Sequence, residues 1–281
     1  MGVLIVHYHS SVRVPVLTYH SMNILGNTYA SNDHVALRED LCVIDAHGSR
    51  IVPLAQVVAV LEGRSGADLT GCVALTFDDG AWFDWYDLEH PTCGPQRSFA
   101  NILRDFRATR PAAQPYLHAT SFVIASPRAR DELDRTCMVG RGWWTDQWWP
   151  KGSAEGLIAI ESHSWDHNHA TLAVTAQRDQ HKGTFRSIDS YADADAQIRQ
   201  ASDYIDRICV PHRTSLFAYP YGETNEYLRE EYLPRFRDEH RMQAAFATGA
   251  EPLTRTSDRW ALPRYVCGHD WKTPGELLKL L

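Results

Sequence analysis

The run Cys72-Val73-Ala74-Leu75, continuing into Thr76-Phe77-Asp78-Asp79-Gly80, constrains this chain more than any other stretch. Apolar and β-branched residues bounded by Gly71 and Gly80 predict a buried strand. That strand carries two adjacent carboxylates to its C-terminal end. Successive side chains on a strand point to opposite faces, so Asp78 and Asp79 need not do the same job. An ionised carboxylate is costly to bury without a cation, a metal or hydrogen bonds. Asp and Gly are also ordinary turn residues, so these five residues taken alone fit a plain Asp-Asp-Gly turn as well.

The same design recurs along the chain. Further strands are expected at residues 14–20, 119–124, 157–160, 214–220, 244–248 and 262–266, and helices from Pro53 to an end at Gly63 and at 99–108, 127–135, 189–208, 226–239 and 274–281. Residues 21–52 are polar and mixed, and read as a loop with short helical or strand pieces. Two aromatic-rich insertions, 81–98 and 138–155, interrupt the alternation. Strands alternating with helices imply parallel β-α units, and 281 residues suit one α/β barrel domain covering 1–281. The loops after the strands form the working face of such a barrel. His20, Asp78, Asp79, His163, His167 and Tyr221 all fall at or just after a strand's C-terminal end.

Composition narrows the function. A formal net charge of −7 with no basic block argues against a nucleic-acid binder. Six scattered cysteines without a CxxC pair read as free thiols rather than a disulfide scaffold. Residues 1–11 lack a basic segment followed by a sustained apolar core, with His7 and His9 interrupting the apolar run there. No segment reaches the ~18 apolar residues of a membrane helix, and a cytoplasmic enzyme is expected.

His163 and His167 lie four apart, and their imidazoles converge if the intervening turn is helical. Asp79 completes a two-His, one-carboxylate set, and three protein ligands with an open position suit a catalytic zinc or similar ion. The open position would take a water whose pKa the metal lowers toward ~7. Asp78 is then placed to accept its proton. His169 leaves other pairs open, His163 with His169 or His167 with His169.

Three segments taken together, Thr76-Phe77-Asp78-Asp79-Gly80, Ser162-His163-Ser164-Trp165-Asp166-His167 and Phe217-Ala218-Tyr219-Pro220-Tyr221-Gly222, resemble the polysaccharide deacetylase family. It is also called carbohydrate esterase family four, or the NodB-homology domain. The resemblance covers roughly residues 14–270. It implies a distorted (β/α) barrel of about seven parallel strands that removes acetyl groups from an N-acetylated oligo- or polysaccharide. It further implies one divalent metal ion, zinc first, with cobalt, nickel or iron also suited to two His and a carboxylate. By motif position, Asp78 resembles the catalytic base, and Asp79, His163 and His167 the metal ligands. Pro220 and Tyr221 fall at the substrate, the Tyr221 N–H placed to stabilise an oxyanion.

This chain departs from the family pattern twice. Ala218 stands where the third motif commonly carries an Arg that orients the base. The form Phe-Ala-Tyr-Pro-Tyr-Gly is most similar to the poly-N-acetylglucosamine deacetylase branch, and Arg264 is the candidate to supply the guanidinium. No clear late Leu-x-His motif is present, which leaves His20 as the expected general acid and His269 as its competitor.

Trp82, Trp85, Trp143, Trp144, Trp148 and Trp149 crowd the two insertions. Most are expected to pack the loops, with Trp82 and Trp143 reaching substrate, since aromatic rings are common anchors in binding sites. A dense loop cover would favour a short or terminal glycan. Competing readings are hydrolysis of a non-sugar amide on the same fold and a carbohydrate-binding protein without turnover.

Overall fold

The computed structural model describes residues 12–177 and 181–281. The reading of residues 1–11 as lacking a leader lies outside them. Seven parallel strands build the main sheet: β1 (Val16–His20), β2 (Cys72–Asp79), β3 (Ala119–Val123), β4 (Ile158–Ser162), β5 (Leu216–Ala218), β6 (Ala244–Phe246) and β7 (Tyr265–Val266). Their order is β6-β5-β4-β3-β2-β1-β7, and Arg50–Ile51 adds a short parallel pairing at the start of β2. The last segment reaches both edges of this curled sheet. Leu262 bridges Phe246 of β6, while Tyr265 and Val266 pair with Leu17 and Thr18 of β1. The result is a distorted (β/α) barrel.

Strand alternation sorts the side chains. Val16, Ala74, Phe122, Leu216, Ala218, Phe246 and Leu262 form an interior cluster, joined by Leu54, Val57 and Val58. Leu17, Tyr19, Val73, Leu75 and Phe77 point outward to the helical layer. On β2 the inward set is therefore Ala74, Thr76 and Asp78, and Thr76 meets Thr18 of β1 at 2.9 Å. That parity sends Asp78 into the barrel mouth.

The longer helices are α1 (Asp33–His47), α2 (Leu54–Leu61), α3 (Phe99–Thr109), α4 (Pro127–Cys137), α5 (Trp149–Glu155), α6 (Tyr191–Gln197) and α7 (Arg199–Ile208), and a short one, Pro274–Leu277, starts the segment expected as the closing helix. Three expectations need correction. The loop expected over 21–52 contains α1, capped by Asn32 at its start and by Gly48 (φ 83) at its end. The second aromatic insertion is not all loop, because α5 occupies its end. The helix expected over 226–239 is a π-turn at Tyr227–Tyr232 followed by two short helical pieces. Among the described residues, no helix is long and apolar enough to cross a membrane.

Candidate active site

Asp78 and Arg264 form the buried centre of the barrel mouth. Nη1 and Nη2 of Arg264 donate to the two Asp78 oxygens at 2.7 and 2.8 Å, a fork-on-fork pair. The residues are 4% and 1% exposed. Burial alone would raise the Asp78 carboxyl. The Arg264 charge, helped by His163 and His20, outweighs that and holds it well below the usual carboxylate range. Arg264 gains this position from the segment that joins both sheet edges, 186 residues away in sequence.

Asp79, His163 and His167 converge beside that pair, with one potential ligand atom from each within 4.8 Å of the others. Nε2 of His163 lies 3.7 Å and Nε2 of His167 4.0 Å from Asp79 Oδ1. The convergence does not come from a helical turn, contrary to the sequence expectation. Ser164 (φ 72), His167 (φ 63) and Asn168 (φ 45) take left-handed conformations that fold the segment back on itself. Asp166 holds this fold, accepting the Ala176 and Asn168 N–H groups at 2.6 and 2.9 Å and Gln197 Nε2 at 2.6 Å.

His163 Nδ1 donates to the Ala218 carbonyl at 2.8 Å, which leaves Nε2 as the free lone pair facing Asp79. The residue that replaces the family's Arg thus orients a histidine through its main chain. His167 is buried, and among the described residues its Nδ1 has no hydrogen-bond partner. Burial, with His163 and His169 beside it, holds its pKa well below the ordinary value. Imidazole nitrogens facing a carboxylate are the donor set a divalent ion takes. A tetrahedral zinc with bonds of ~2.0–2.1 Å keeps its ligands about 3.4 Å apart, so these spacings fit one ion after a small closure. His169 lies beside it, its ring 5.7 Å from that of His167 and tilted by 48°, with Nδ1 on Thr171.

One cleft of ≈ 300 Å³ is lined by His20, Asp78, Asp79, His163, His167, Tyr221 and Arg264, together with Gly222, Thr248 and Val266. Asp33, on α1, accepts the His20 main-chain N–H at 2.8 Å and Asn23 Nδ2 at 2.7 Å, fixing the end of β1. Tyr221 (φ 60) stands with its ring 4.5 Å from that of His167. Among the described residues, its main-chain N–H has no backbone partner outside its own short helical turn. Gly222 (φ 65) is required here, because a Cβ would lie 2.2 Å from Thr248 Oγ1. Behind the cleft Asp84 is fully buried on Ser121 Oγ at 2.6 Å. Burial pushes it up to about 7, the Ser121 and Ser21 hydroxyls pull it down, and the nearby Asp79 and Asp78 charges add to the rise.

The remaining sequence candidates lie elsewhere. Pro220 is buried beneath Tyr221 and does not line the cleft. Trp82 and Trp143 do not line it either. Trp82 packs on Tyr86 and donates Nε1 to Thr145, and Trp143 packs edge-on to Phe83. Both rings join the two insertions, and no described residue of either insertion lines this opening. His269, 84% exposed at its side chain, sits 2.8 Å from Asp270 in an adjoining cleft of ≈ 390 Å³ that shares Tyr221, Thr248 and Val266. Sequence reasoning missed Asp33, Thr248 and Val266, which carry no motif. It also passed over Asp166, although that residue stands inside the second motif.

Comparison with known proteins agrees with this geometry. A family model described as polysaccharide deacetylase matches residues 66–233. Among curated proteins, none matches the chain. Solved structures share the fold at low identity. The Streptococcus pyogenes deacetylase PplD in complex with acetate is 16% identical, with a TM-score of 0.65 over 96% of this chain and 99% of that one. A de-N-acetylase from Aggregatibacter actinomycetemcomitans is 17% identical, with a TM-score of 0.61 over 95% and 99%. IcaB from Ammonifex degensii is 16% identical, with a TM-score of 0.60 over 95% and 96%. With the family model covering more than half of its length, this chain belongs to the polysaccharide deacetylase family.

Proposed function

We propose that this protein is a metal-dependent hydrolase that removes the acetyl group from an N-acetylated saccharide. The observation that carries the reading is a single cleft holding the Asp78–Arg264 pair, the Asp79, His163 and His167 group, and Tyr221. Family membership supports the acetylated sugar as substrate.

Asp79, His163 and His167 would hold the ion, which when bound polarises the amide carbonyl and makes water acidic enough for a weak base to deprotonate. Asp78 is that base. Its pairing with Arg264 keeps it ionised and oriented, and each carboxylate oxygen retains a further lone pair for the water proton. The water oxygen attacks the acyl carbon, and the Tyr221 N–H donates to the oxyanion that forms. A donor of this kind typically contributes on the order of 10²–10³ in rate. His20, opposite Asp78 across the β1–β2 pairing, supplies a proton to the departing nitrogen. The C–N bond then breaks to release acetate and a free amine. His20 is favoured over His269 because it lines the same cleft as Asp78.

Acetate release from a panel of N-acetylated oligosaccharides, measured for wild type and Asp78→Asn, tests the reading. Release in wild type and its loss in Asp78→Asn are expected. Release of a different carboxylate from a non-sugar amide, or undiminished release by Asp78→Asn, would overturn it.

A further inference from the structure

Asp79 (φ 78) and Gly80 (φ 76) are consecutive left-handed residues. An L-residue there costs roughly 1–2 kcal/mol, so the turn needs support. The Asp79 carbonyl accepts two hydrogen bonds, one from Trp144 Nε1 at 2.9 Å and one from the Ile124 N–H at 3.3 Å. Trp144 comes from the aromatic segment between α4 and α5, 65 residues away in sequence. It is buried in a cluster with Ala81, Ile124, Ala129 and Leu133. Its own carbonyl is held by the buried Arg130, whose Nη1 donates at 3.0 Å. The two aromatic insertions are joined twice more, by the Trp82 N–H on the Trp143 carbonyl at 2.8 Å and by Trp82 Nε1 on Thr145 Oγ1 at 3.0 Å. Only the Trp144 bond reaches Asp79.

We propose that Trp144 is a positioning residue for Asp79. Its indole N–H fixes the Asp79 peptide, and thereby the direction in which the carboxylate meets His163 and His167. The inference rests on reading Asp79, His163 and His167 as metal ligands. Without the indole, the peptide is left with the longer bond from Ile124, and the carboxylate is free to swing from its place 3.7 Å from His163 Nε2. Partners that orient metal ligands typically change affinity by about 10–100-fold.

The test titrates metal-free protein with zinc against a chelating dye, with folding checked by circular dichroism. Trp144 is replaced by Phe and by benzothienylalanine, an isostere with sulfur in place of the N–H. The isostere carries the comparison if Trp144→Phe does not fold. Trp82→Phe is the matched control, removing an indole bond to the same 138–155 segment that does not touch Asp79. The Trp144 variants are expected to bind zinc at least about 10-fold more weakly, and Trp82→Phe to stay within about twofold of wild type. Wild-type affinity in the isostere, or equal weakening in Trp82→Phe, overturns the proposal. Equal zinc affinity in wild type and Asp79→Ala would instead remove the ligand reading, and this inference with it.

Discussion

Replacing Arg264 with Met leaves the Asp78 carboxylate 4% exposed with neither of its two guanidinium hydrogen bonds. Removing one partner of a buried ion pair typically costs about 3–5 kcal/mol, because the other charge stays buried and unpaired. Asp78→Asn strands the Arg264 guanidinium, 1% exposed, and is expected to cost a similar amount. The double variant buries neither charge and should lose much less than the sum. Urea unfolding of the four proteins in metal-free buffer closes the cycle, with a coupling energy of about 2–3 kcal/mol expected for groups in direct contact. Arg264→Met should also lower acetate release by about 10²–10⁴, the usual contribution of an oriented acid–base group. Additive losses within about 0.5 kcal/mol would show that the two residues do not depend on each other, and would refute the reasoning.

Gly80→Ala places a Cβ 2.5 Å from Val123 Cγ1 at a backbone with φ 76. Backbone strain and overpacking together should cost roughly 2–5 kcal/mol in urea unfolding, and a loss below about 1 kcal/mol would contradict the tight β2–β3 approach. His240 is buried and satisfied as a neutral ring, with Nε2 on the Leu233 carbonyl and Nδ1 accepting the Met242 N–H. Burial lowers its pKa to about 4. Its contribution is present above the unfolded value of ~6.5 and lost as pH falls toward the folded value, up to about 3 kcal/mol. Unfolding free energies from pH 7 to pH 4.5 should therefore fall less steeply in His240→Gln, and parallel curves would refute this. Trp82→Phe and Trp143→Phe should leave KM for acetylated oligosaccharides within about twofold, because neither ring lines the cleft. A larger change would bring the aromatic loops back to the substrate.

Much of the fold could be read from apolar, β-branched runs bounded by turn residues and alternating with helices. The β2 strand is one such run: its inward and outward residues are separated by parity alone, and that parity predicts that Asp78 and Asp79 do different work. The α1 helix was illegible because its inner face carries polar groups with private partners. Asp33 bonds to His20, His34 to Ser21 and Arg97, and Asp40 to Tyr19, Tyr29 and Trp271. These interrupt the apolar stripe formed by Ala36, Leu37, Leu41 and Ile44, although Asn32 and Gly48 mark both ends. The His163–His167 spacing indicated convergence without revealing its cause, since four residues can close through left-handed turns as well as through a helix. Most of the indoles pack the insertions as expected, but which of them faces the cleft was not legible for a related reason. Composition shows that a ring is present, whereas tertiary partners decide whether its N–H faces a sugar or, as for Trp144, a main-chain carbonyl.

The most direct measurement counts bound metal and acetate release in the same samples: protein as purified, stripped with a chelator, and reloaded with zinc, each as wild type and His163→Ala. One ion per chain, release lost on stripping and restored on reloading, and neither ion nor release in His163→Ala is the expected result. Full acetate release by stripped protein would contradict the assignment of Asp79, His163 and His167 to a catalytic ion.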